Sequence, residues 1–181
     1  MNKIYLASIF ILVGFYIPLI YLIGHPNVSA EYKSYYITQS SKISPFERAN
    51  MGPIPFGEKI EFNDRRIGFE NFFDPGKSFR WSMDAQSQII FLLDSQDKLN
   101  KEGTLLLRVD PLGAQKVSLA LNQKLIYEGM LNGPTELLIS YPAGSLKEGM
   151  NTITLLTPGA KTLGDGEIRK LALRFQSLVI E

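Results

Sequence analysis

The chain has 181 residues and a net charge of +1, with 19 basic residues against 18 acidic ones and no cysteine. The interleaved charges exclude the basic surface of a nucleic-acid-binding protein. The lack of cysteine excludes disulfides, thiolate metal sites and cysteine nucleophiles. About 150 residues follow the first apolar segment, which is enough for one domain with a core of its own.

Residues 1–24 are predicted to form a transmembrane anchor. Residues 4–24 carry no charge, and at 1.5 Å per residue this run spans a hydrocarbon core of roughly 30 Å. Lys3 and the terminal amine favour a cytoplasmic N-terminus. This predicts a single-pass protein of the cell inner membrane whose domain is periplasmic or extracellular. Residues 28–30, Val-Ser-Ala, also fit a signal-peptidase site, so a cleaved signal peptide is the alternative.

Residues 25–57 are predicted to be a linker, because prolines and scattered serines interrupt any regular apolar period. Residues 58–181 are predicted to be a β-sandwich domain. Apolar and polar residues alternate in segments such as 117–121 and 171–176, which places one face of each strand inward. The predicted strands are Lys59–Phe62, Arg66–Glu70, Phe79–Met83, Gln88–Leu93, Thr104–Val109, Lys116–Leu121, Lys124–Met130, Glu136–Ser140, Thr152–Thr157 and Lys170–Ile180.

Turn signals separate these strands at intervals of roughly 8–12 residues, a spacing typical of sandwiches and barrels. Asn122-Gln123 is predicted to form a tight hairpin turn, because Asn tolerates positive φ. Residues 94–102 are predicted to contain at most one turn of helix. The other turn signals are Asp74-Pro75-Gly76, Asp110-Pro111-Leu112-Gly113, Asn132-Gly133-Pro134 and Gly164-Asp165-Gly166.

Four segments resemble parts of a known domain family. Residues 141–155 are similar to the "leu-lys-x-gly-x-asn-thr-leu" turn between two strands of galactose-binding-like jelly rolls, and residues 117–125 resemble the hairpin before it. Residues 68–70 and 79–82 resemble a "gly-phe … arg-trp-ser" pattern. That pattern occurs in extracytoplasmic sandwich domains appended to bacterial membrane glycosyltransferases and phosphoglycerol transferases. The resemblance implies an all-β jelly-roll sandwich after one N-terminal transmembrane helix. The multi-helix transferase part is replaced here by a single anchor.

The residues available for catalysis are few. The only histidine is His25, beside the apolar run, which excludes a Ser-His-Asp triad or a histidine-rich metal site in the domain. Glu61 and Glu181 lack the spacing of a calcium loop, so no metal or other cofactor is predicted. A glycoside hydrolase using two carboxylates is a remote alternative. Nearly all of its candidate residues fall in predicted turns; they are Asp64, Asp74, Asp84, Asp94, Asp97 and Asp110.

Sugar binding requires less, since aromatic faces stack on pyranose rings and a few polar groups orient the hydroxyls. A lone tryptophan on a strand is more often a core residue, which is the alternative for Trp81. Arg80 alternates with Trp81, so the two are predicted to point to opposite faces. The candidate carbohydrate-binding residues are Trp81, Tyr127, Phe72, Phe73, Asn71 and Arg108.

The sequence therefore predicts a membrane-anchored, non-catalytic extracytoplasmic β-sandwich. Its predicted role is that of a glycan-binding or accessory module in the synthesis or modification of a cell-surface polysaccharide. The alternative is a protein-protein docking subunit of a polytopic membrane glycosyltransferase or transporter. The predicted partners are the membrane, a polysaccharide and such a polytopic protein.

Overall fold

A computed structural model describes residues 5, 12–19, 21, 50–73, 78–93, 99–164 and 169–181. The chain divides into two compact units, Met1–Ser40 and Ser41–Glu181. In the first unit, the described residues are helical. Over the described part of the chain, no helix combines the length and the apolar character that crossing a membrane demands. Most of the predicted anchor, residues 25–49, the Asp74-Pro75-Gly76 turn and residues 94–98 lie outside the described residues.

The second unit is built from β-strands, as its alternating sequence predicts. The all-β class and ten predicted strands are confirmed, with ends that differ by at most two residues. In the described residues, the strands are β1 (Pro53–Ile54), β2 (Ile60–Glu61), β3 (Gly68–Glu70), β4 (Phe72–Phe73), β5 (Arg80–Met83), β6 (Gln86–Leu93), β7 (Gly103–Pro111), β8 (Gln115–Leu121), β9 (Lys124–Leu131), β10 (Thr135–Tyr141), β11 (Met150–Leu156) and β12 (Leu171–Ile180).

The strands form two sheets. The first sheet has the order β1-β6-β11-β8-β9, with β3 also paired to β6. The second has the order β10-β7-β12-β5-β4, with β2 also paired to β12. All of these pairings are antiparallel except that of β1 with β6, which is parallel. The result is a β-sandwich.

One hydrophobic core lies between the sheets. Ile89, Phe91 and Ile153 from the first sheet and Leu107 and Phe175 from the second are fully buried. Each is an apolar residue of a strand, and successive side chains of a strand point to opposite faces of its sheet. The apolar side chains of these strands therefore share the inner faces. Burying a side chain of this size contributes roughly 1.5–3 kcal/mol relative to leaving it exposed.

Two short strands, β1 and β4, were not predicted. β1 lies in the segment predicted as linker, yet Ile54 is buried in the core and Pro53–Ile54 pairs with Leu92–Leu93 of β6. The Gly57 N–H also donates a hydrogen bond to the carbonyl of Ile180. Neither strand lies in a run of sustained apolar–polar alternation, so the sequence pattern does not predict them.

The tight turn predicted at Asn122-Gln123 is confirmed. Asn122 has φ 48° and Gln123 has φ 73°, and the two residues directly join β8 to β9. Positive φ at both central positions is the geometry that matches the twist of a two-residue hairpin. The turn brings the Asn122 side chain toward the loop that precedes β11.

An arginine clamp ties the segment between β1 and β3. The Arg66 guanidinium donates from Nε to Asp64 Oδ1 at 3.1 Å and from Nη2 to Asp64 Oδ2 at 2.7 Å. It also forms an ion pair with Glu58. Hydrogen bonds from Arg66 hold the pKa of both carboxyl groups below their usual values. The carboxylates therefore favour the folded state only while they are ionised.

This clamp makes stability sensitive to acid. Because the pKa of each carboxyl group is lowered in the folded state, ionisation adds to the free energy of unfolding. This contribution is complete above the ordinary pKa values of 4.5 for Glu58 and 3.8 for Asp64. It is lost as pH falls through the lowered pKa values. We expect Arg66→Gln to reduce the loss of unfolding free energy below pH 4.5, measured by urea unfolding at several pH values. Arg65→Gln, an exposed neighbour, is the control. An unchanged acid profile in Arg66→Gln would contradict the clamp.

Candidate functional site

Aromatic and arginine side chains gather on the outer face of the second sheet. Phe79 and Trp81 are two residues apart on the same chain segment, so their side chains share a face. In the strand register, Trp81 lies opposite Phe73 of β4 on one side and Arg174 of β12 on the other. Directly opposed residues of neighbouring strands place their side chains in contact range. We call Phe73, Phe79, Trp81, Arg169 and Arg174 the aromatic–arginine cluster.

The cluster is held by ring and cation–π contacts. The rings of Phe79 and Trp81 pack edge to face, with centroids 5.8 Å apart. The Arg174 guanidinium carbon lies 5.3 Å from the Phe79 centroid and 5.5 Å from that of Trp81. The Arg169 guanidinium carbon lies 3.8 Å above Phe73. Such distances are those of attractive cation–π pairs.

An ion pair fixes the orientation of Arg174. Asp110 of β7 lies opposite Arg174 in the register, and its carboxylate accepts from Arg174 Nη2. The Asp110 side chain is only 10% exposed, whereas that of Arg174 is 37% exposed. The guanidinium therefore presents one edge to a nearly buried carboxylate and leaves part of its donor set at the surface.

Further along the same face, Arg108 and Glu136 lie opposite each other on β7 and β10. Their side chains are about half exposed and 3.8 Å apart. At this exposure the pair contributes little to stability, typically below about 1 kcal/mol. Both groups remain able to make hydrogen bonds with a ligand that extends from the cluster along the sheet.

Three of the predicted site residues share this face: Trp81, Phe73 and Arg108. Trp81 retains only 9% of its surface exposed, because Phe79 and Arg174 pack against it. Phe73 and Phe79 are half-buried and lie nearer the solvent. Trp81 therefore lies beneath its neighbours in the cluster, and Phe73 and Phe79 expose more ring surface to a ligand.

The other predicted site residues lie elsewhere. Phe72 points inward, with its ring 6.3 Å from that of the fully buried Phe175. Asn71 has φ 57° in the turn between β3 and β4, and its side chain donates to the carbonyl of Gln86 at 2.9 Å. Tyr127 belongs to β9 of the first sheet and packs against the core. The structure therefore does not bring these three residues to the cluster.

Arg80 faces away from Trp81, as the alternation predicts. Its Nε donates to the carbonyl of Phe62 at 3.0 Å, and its guanidinium carbon lies 4.5 Å from the centroid of Phe69. Sequence reasoning missed Phe79, Arg169, Arg174 and Asp110 as members of the site. Arg174 carries a usable signal, because it is the one charged residue in β12.

The candidate carboxylates that the structure describes make structural contacts or lie in turns. Asp64 and Asp110 are ion-paired with arginines, and Asp84 has φ 56° in the turn between β5 and β6. Glu61 pairs with Lys59 at 2.7 Å, and Glu181 accepts a hydrogen bond from Thr104 at 3.2 Å. In the described ranges, no three Asp, Glu, His or Cys residues come together as metal ligands would. The chemistry that this face offers is binding by stacking and hydrogen bonds.

No family model matches the chain, and no curated protein matches it. Among solved structures, the carbohydrate-binding module CBM36 in complex with calcium and xylotriose is 14% identical, with a TM-score of 0.39, covering 68% of this chain and 99% of the module. CsCBM6-3 from Clostridium stercorarium in complex with cellobiose is 13% identical, with a TM-score of 0.41, covering 72% and 97%. These similar structures are carbohydrate-binding modules.

A third is the CBM36-1 domain of a multidomain xylanase from the hindgut metagenome of Trinervitermes trinervoides, 12% identical, with a TM-score of 0.41, covering 68% of this chain and 95% of that domain. All three TM-scores lie below 0.5. The strand pairing of the chain itself defines the β-sandwich.

Proposed function

We propose that this protein is a non-catalytic glycan-binding module that serves the synthesis or modification of a cell-surface polysaccharide. The observation that carries the proposal is the aromatic–arginine cluster on the outer face of the second sheet. Apolar rings next to oriented guanidinium donors match the two faces of a sugar ring, which presents C–H groups on one side and hydroxyls at its rim.

The cluster divides the two tasks between its members. Phe73 and Phe79 supply ring surface, while Arg174 supplies N–H donors whose direction is fixed by Asp110. Arg169 lies over Phe73, so a sugar that stacks on that ring face displaces a guanidinium and gains a hydrogen-bonding group beside it. Arg108 extends the polar surface for a second sugar unit.

We also propose that the protein is not an enzyme and that it is anchored in a membrane. A binding role fits a face whose carboxylates Asp110 and Glu136 are each paired with an arginine. The uncharged residues 4–24 support tethering to the inner membrane, with the sandwich on the periplasmic or extracellular side. A polytopic glycosyltransferase or transporter is the proposed protein partner there.

Stacking on Phe73 can be tested by calorimetric titration of the full chain in detergent. The probes are neutral xylo- and cello-oligosaccharides and, as an acidic series, oligogalacturonides. We expect at least one series to bind, and Phe73→Ala to weaken that binding about 10-fold, since an aromatic stacking contact is worth roughly 1 kcal/mol or more.

Tyr127→Phe is the matched control, because Tyr127 lies on the other sheet and should leave the affinity unchanged. Loss of binding in Tyr127→Phe together with full binding in Phe73→Ala would move the site to the first sheet. A complete lack of binding for both series would count against the glycan-binding proposal and favour the protein-docking alternative.

A further inference from the structure

The turn between β9 and β10 contains the chain's single Asn-Gly pair, Asn132-Gly133. It joins the edge strand of one sheet to the edge strand of the other, since β9 ends at Leu131 and β10 begins at Thr135. Asn132 is exposed and Gly133 is half-buried. The backbone and the side-chain amide of this pair therefore lie at the protein surface, within reach of water.

The reacting groups of this pair are free of hydrogen bonds. Within the part of the chain that the structure describes, the Gly133 N–H donates to no acceptor and the Asn132 amide has no partner. The next peptide is held instead, because the Gly133 carbonyl accepts from the Thr135 hydroxyl at 2.8 Å. No hydrogen bond of the described residues therefore has to open before the Gly133 nitrogen approaches the Asn132 side chain.

We propose that Asn132 is a site of spontaneous deamidation. The Gly133 nitrogen loses its proton to hydroxide and bonds to Asn132 Cγ, which closes a five-membered succinimide. The Cγ–Nδ2 bond breaks, and Nδ2 takes up a proton and leaves as ammonia. Glycine is the residue that permits this attack most readily, because it has no Cβ to obstruct the nitrogen and its backbone is the least restricted.

Water then opens the succinimide at either of its two carbonyl carbons. Addition at Cγ breaks the new bond to the Gly133 nitrogen and gives aspartate. Addition at the main-chain carbonyl carbon of Asn132 breaks the original peptide bond and gives isoaspartate, in which the chain runs through the former side chain. The reaction consumes only water, so it does not depend on glycan binding.

Two other asparagines show what protects an amide from this reaction. Asn63 is exposed as well, but the backbone nitrogen that follows it, that of Asp64, donates to the carbonyl of Glu61 at 3.0 Å. Asn151 is fully buried, and both ends of its amide are hydrogen-bonded. At either position, hydrogen bonds must break before the nitrogen and the amide can react.

Deamidation changes both the charge and the covalent path of the turn. Replacing the neutral Asn132 amide by a carboxylate lowers the formal net charge of the chain from +1 to zero. Isoaspartate also inserts one methylene group into the main chain between β9 and β10, where the chain passes from one sheet to the other. The protein is thereby divided into an amide form and a carboxylate form, which ion exchange separates.

Peptide mass spectrometry tests the proposal on the full chain, incubated in detergent at neutral and at mildly alkaline pH. We expect the peptide that contains Asn132 to become one mass unit heavier and to separate into two products of equal mass, aspartate and isoaspartate. The rate should rise with pH, because the attacking nitrogen must be deprotonated. Gly133→Ala should slow the reaction at least about 10-fold, since its Cβ obstructs the attack.

Asn63 in the same sample is the matched control, and it should react at least about 10-fold more slowly than Asn132. The rate at Asn132 in urea, where the fold is lost, should lie within about 10-fold of the rate in the folded chain, because no hydrogen bond must open first. An Asn132 that reacts only in urea would overturn the proposal. So would equal rates at Asn63 and Asn132, or an unchanged rate in Gly133→Ala.

Discussion

Replacing Asn151 by alanine should lower the free energy of unfolding by about 2–4 kcal/mol, because several buried groups lose their hydrogen-bond partners at once. Asn151 is fully buried at the start of β11. Its Oδ1 accepts from the Lys147 N–H at 3.0 Å and from Asn122 Nδ2 at 2.7 Å. Its Nδ2 donates to the carbonyls of Lys147 at 2.9 Å and Gly149 at 3.1 Å.

The same amide network extends through Asn122. Asn122 Nδ2 donates to the carbonyl of Ser145 at 2.8 Å, and its Oδ1 accepts from the Thr152 N–H at 3.0 Å. The loop before β11 is thereby fastened to the β8–β9 hairpin, and Leu146 of that loop is buried in the core. This explains physically why Asn151 stands two residues after Gly149 in this chain.

Urea unfolding of the full chain, followed by circular dichroism, measures this effect. Asn63→Ala is the control, because Asn63 lies exposed in a turn and should change stability by less than about 0.5 kcal/mol. An Asn151→Ala variant as stable as the control would show that the network adds no net stability.

Gly103→Ala should cost about 2–4 kcal/mol for a different reason, namely a steric clash at the start of β7. A Cβ at this position would collide with the carbonyl oxygen of Glu181 and with the hydroxyl of Tyr141. The Tyr141 hydroxyl donates to that same carbonyl at 2.8 Å, and Thr104 and Glu181 exchange backbone hydrogen bonds of 2.9 and 2.8 Å. The chain end therefore packs on the glycine itself.

The control is the same substitution at another glycine, Gly133→Ala, since a Cβ at Gly133 meets no atom within 4 Å. Its stability should stay within about 0.5 kcal/mol of the wild type. Adding Tyr141→Phe to Gly103→Ala removes the hydroxyl clash but leaves the clashes with the ring carbon and with the backbone carbonyl of Glu181. Full recovery of stability in that double variant would mean that the tyrosine, and not the chain end, requires glycine here.

Most of the fold follows from local patterns in the sequence. Val117, Leu119 and Leu121 alternate with partly exposed or polar residues, and the structure buries all three. The pairing of strands does not follow in the same way, because β6 and β11, or β7 and β12, are distant in sequence and meet only through the packing of the whole core. Short strands such as β4 are fixed by the neighbours they pair with.

The candidate site was predictable only in part. Trp81 and Phe73 are aromatic and stood out by type, but their proximity depends on the register of β4 with β5. Phe72 differs from Phe73 by one position, and that single step turns its side chain from the outer face toward Phe175. For Tyr127 the sequence shows only an aromatic residue type, and the strand order shows that it belongs to the other sheet.

The fluorescence of Trp81 tests most directly whether the aromatic–arginine cluster binds a glycan. It is measured while the full chain is titrated with the xylo-, cello- and galacturono-oligosaccharides. The chain has one tryptophan, and Phe79 and Arg174 pack against it, so a ligand bound at the cluster must alter its surroundings. We expect a saturable change in emission that Phe73→Ala weakens and Tyr127→Phe preserves. Calorimetric binding without any change in Trp81 emission would contradict the assignment of the glycan site to the aromatic–arginine cluster.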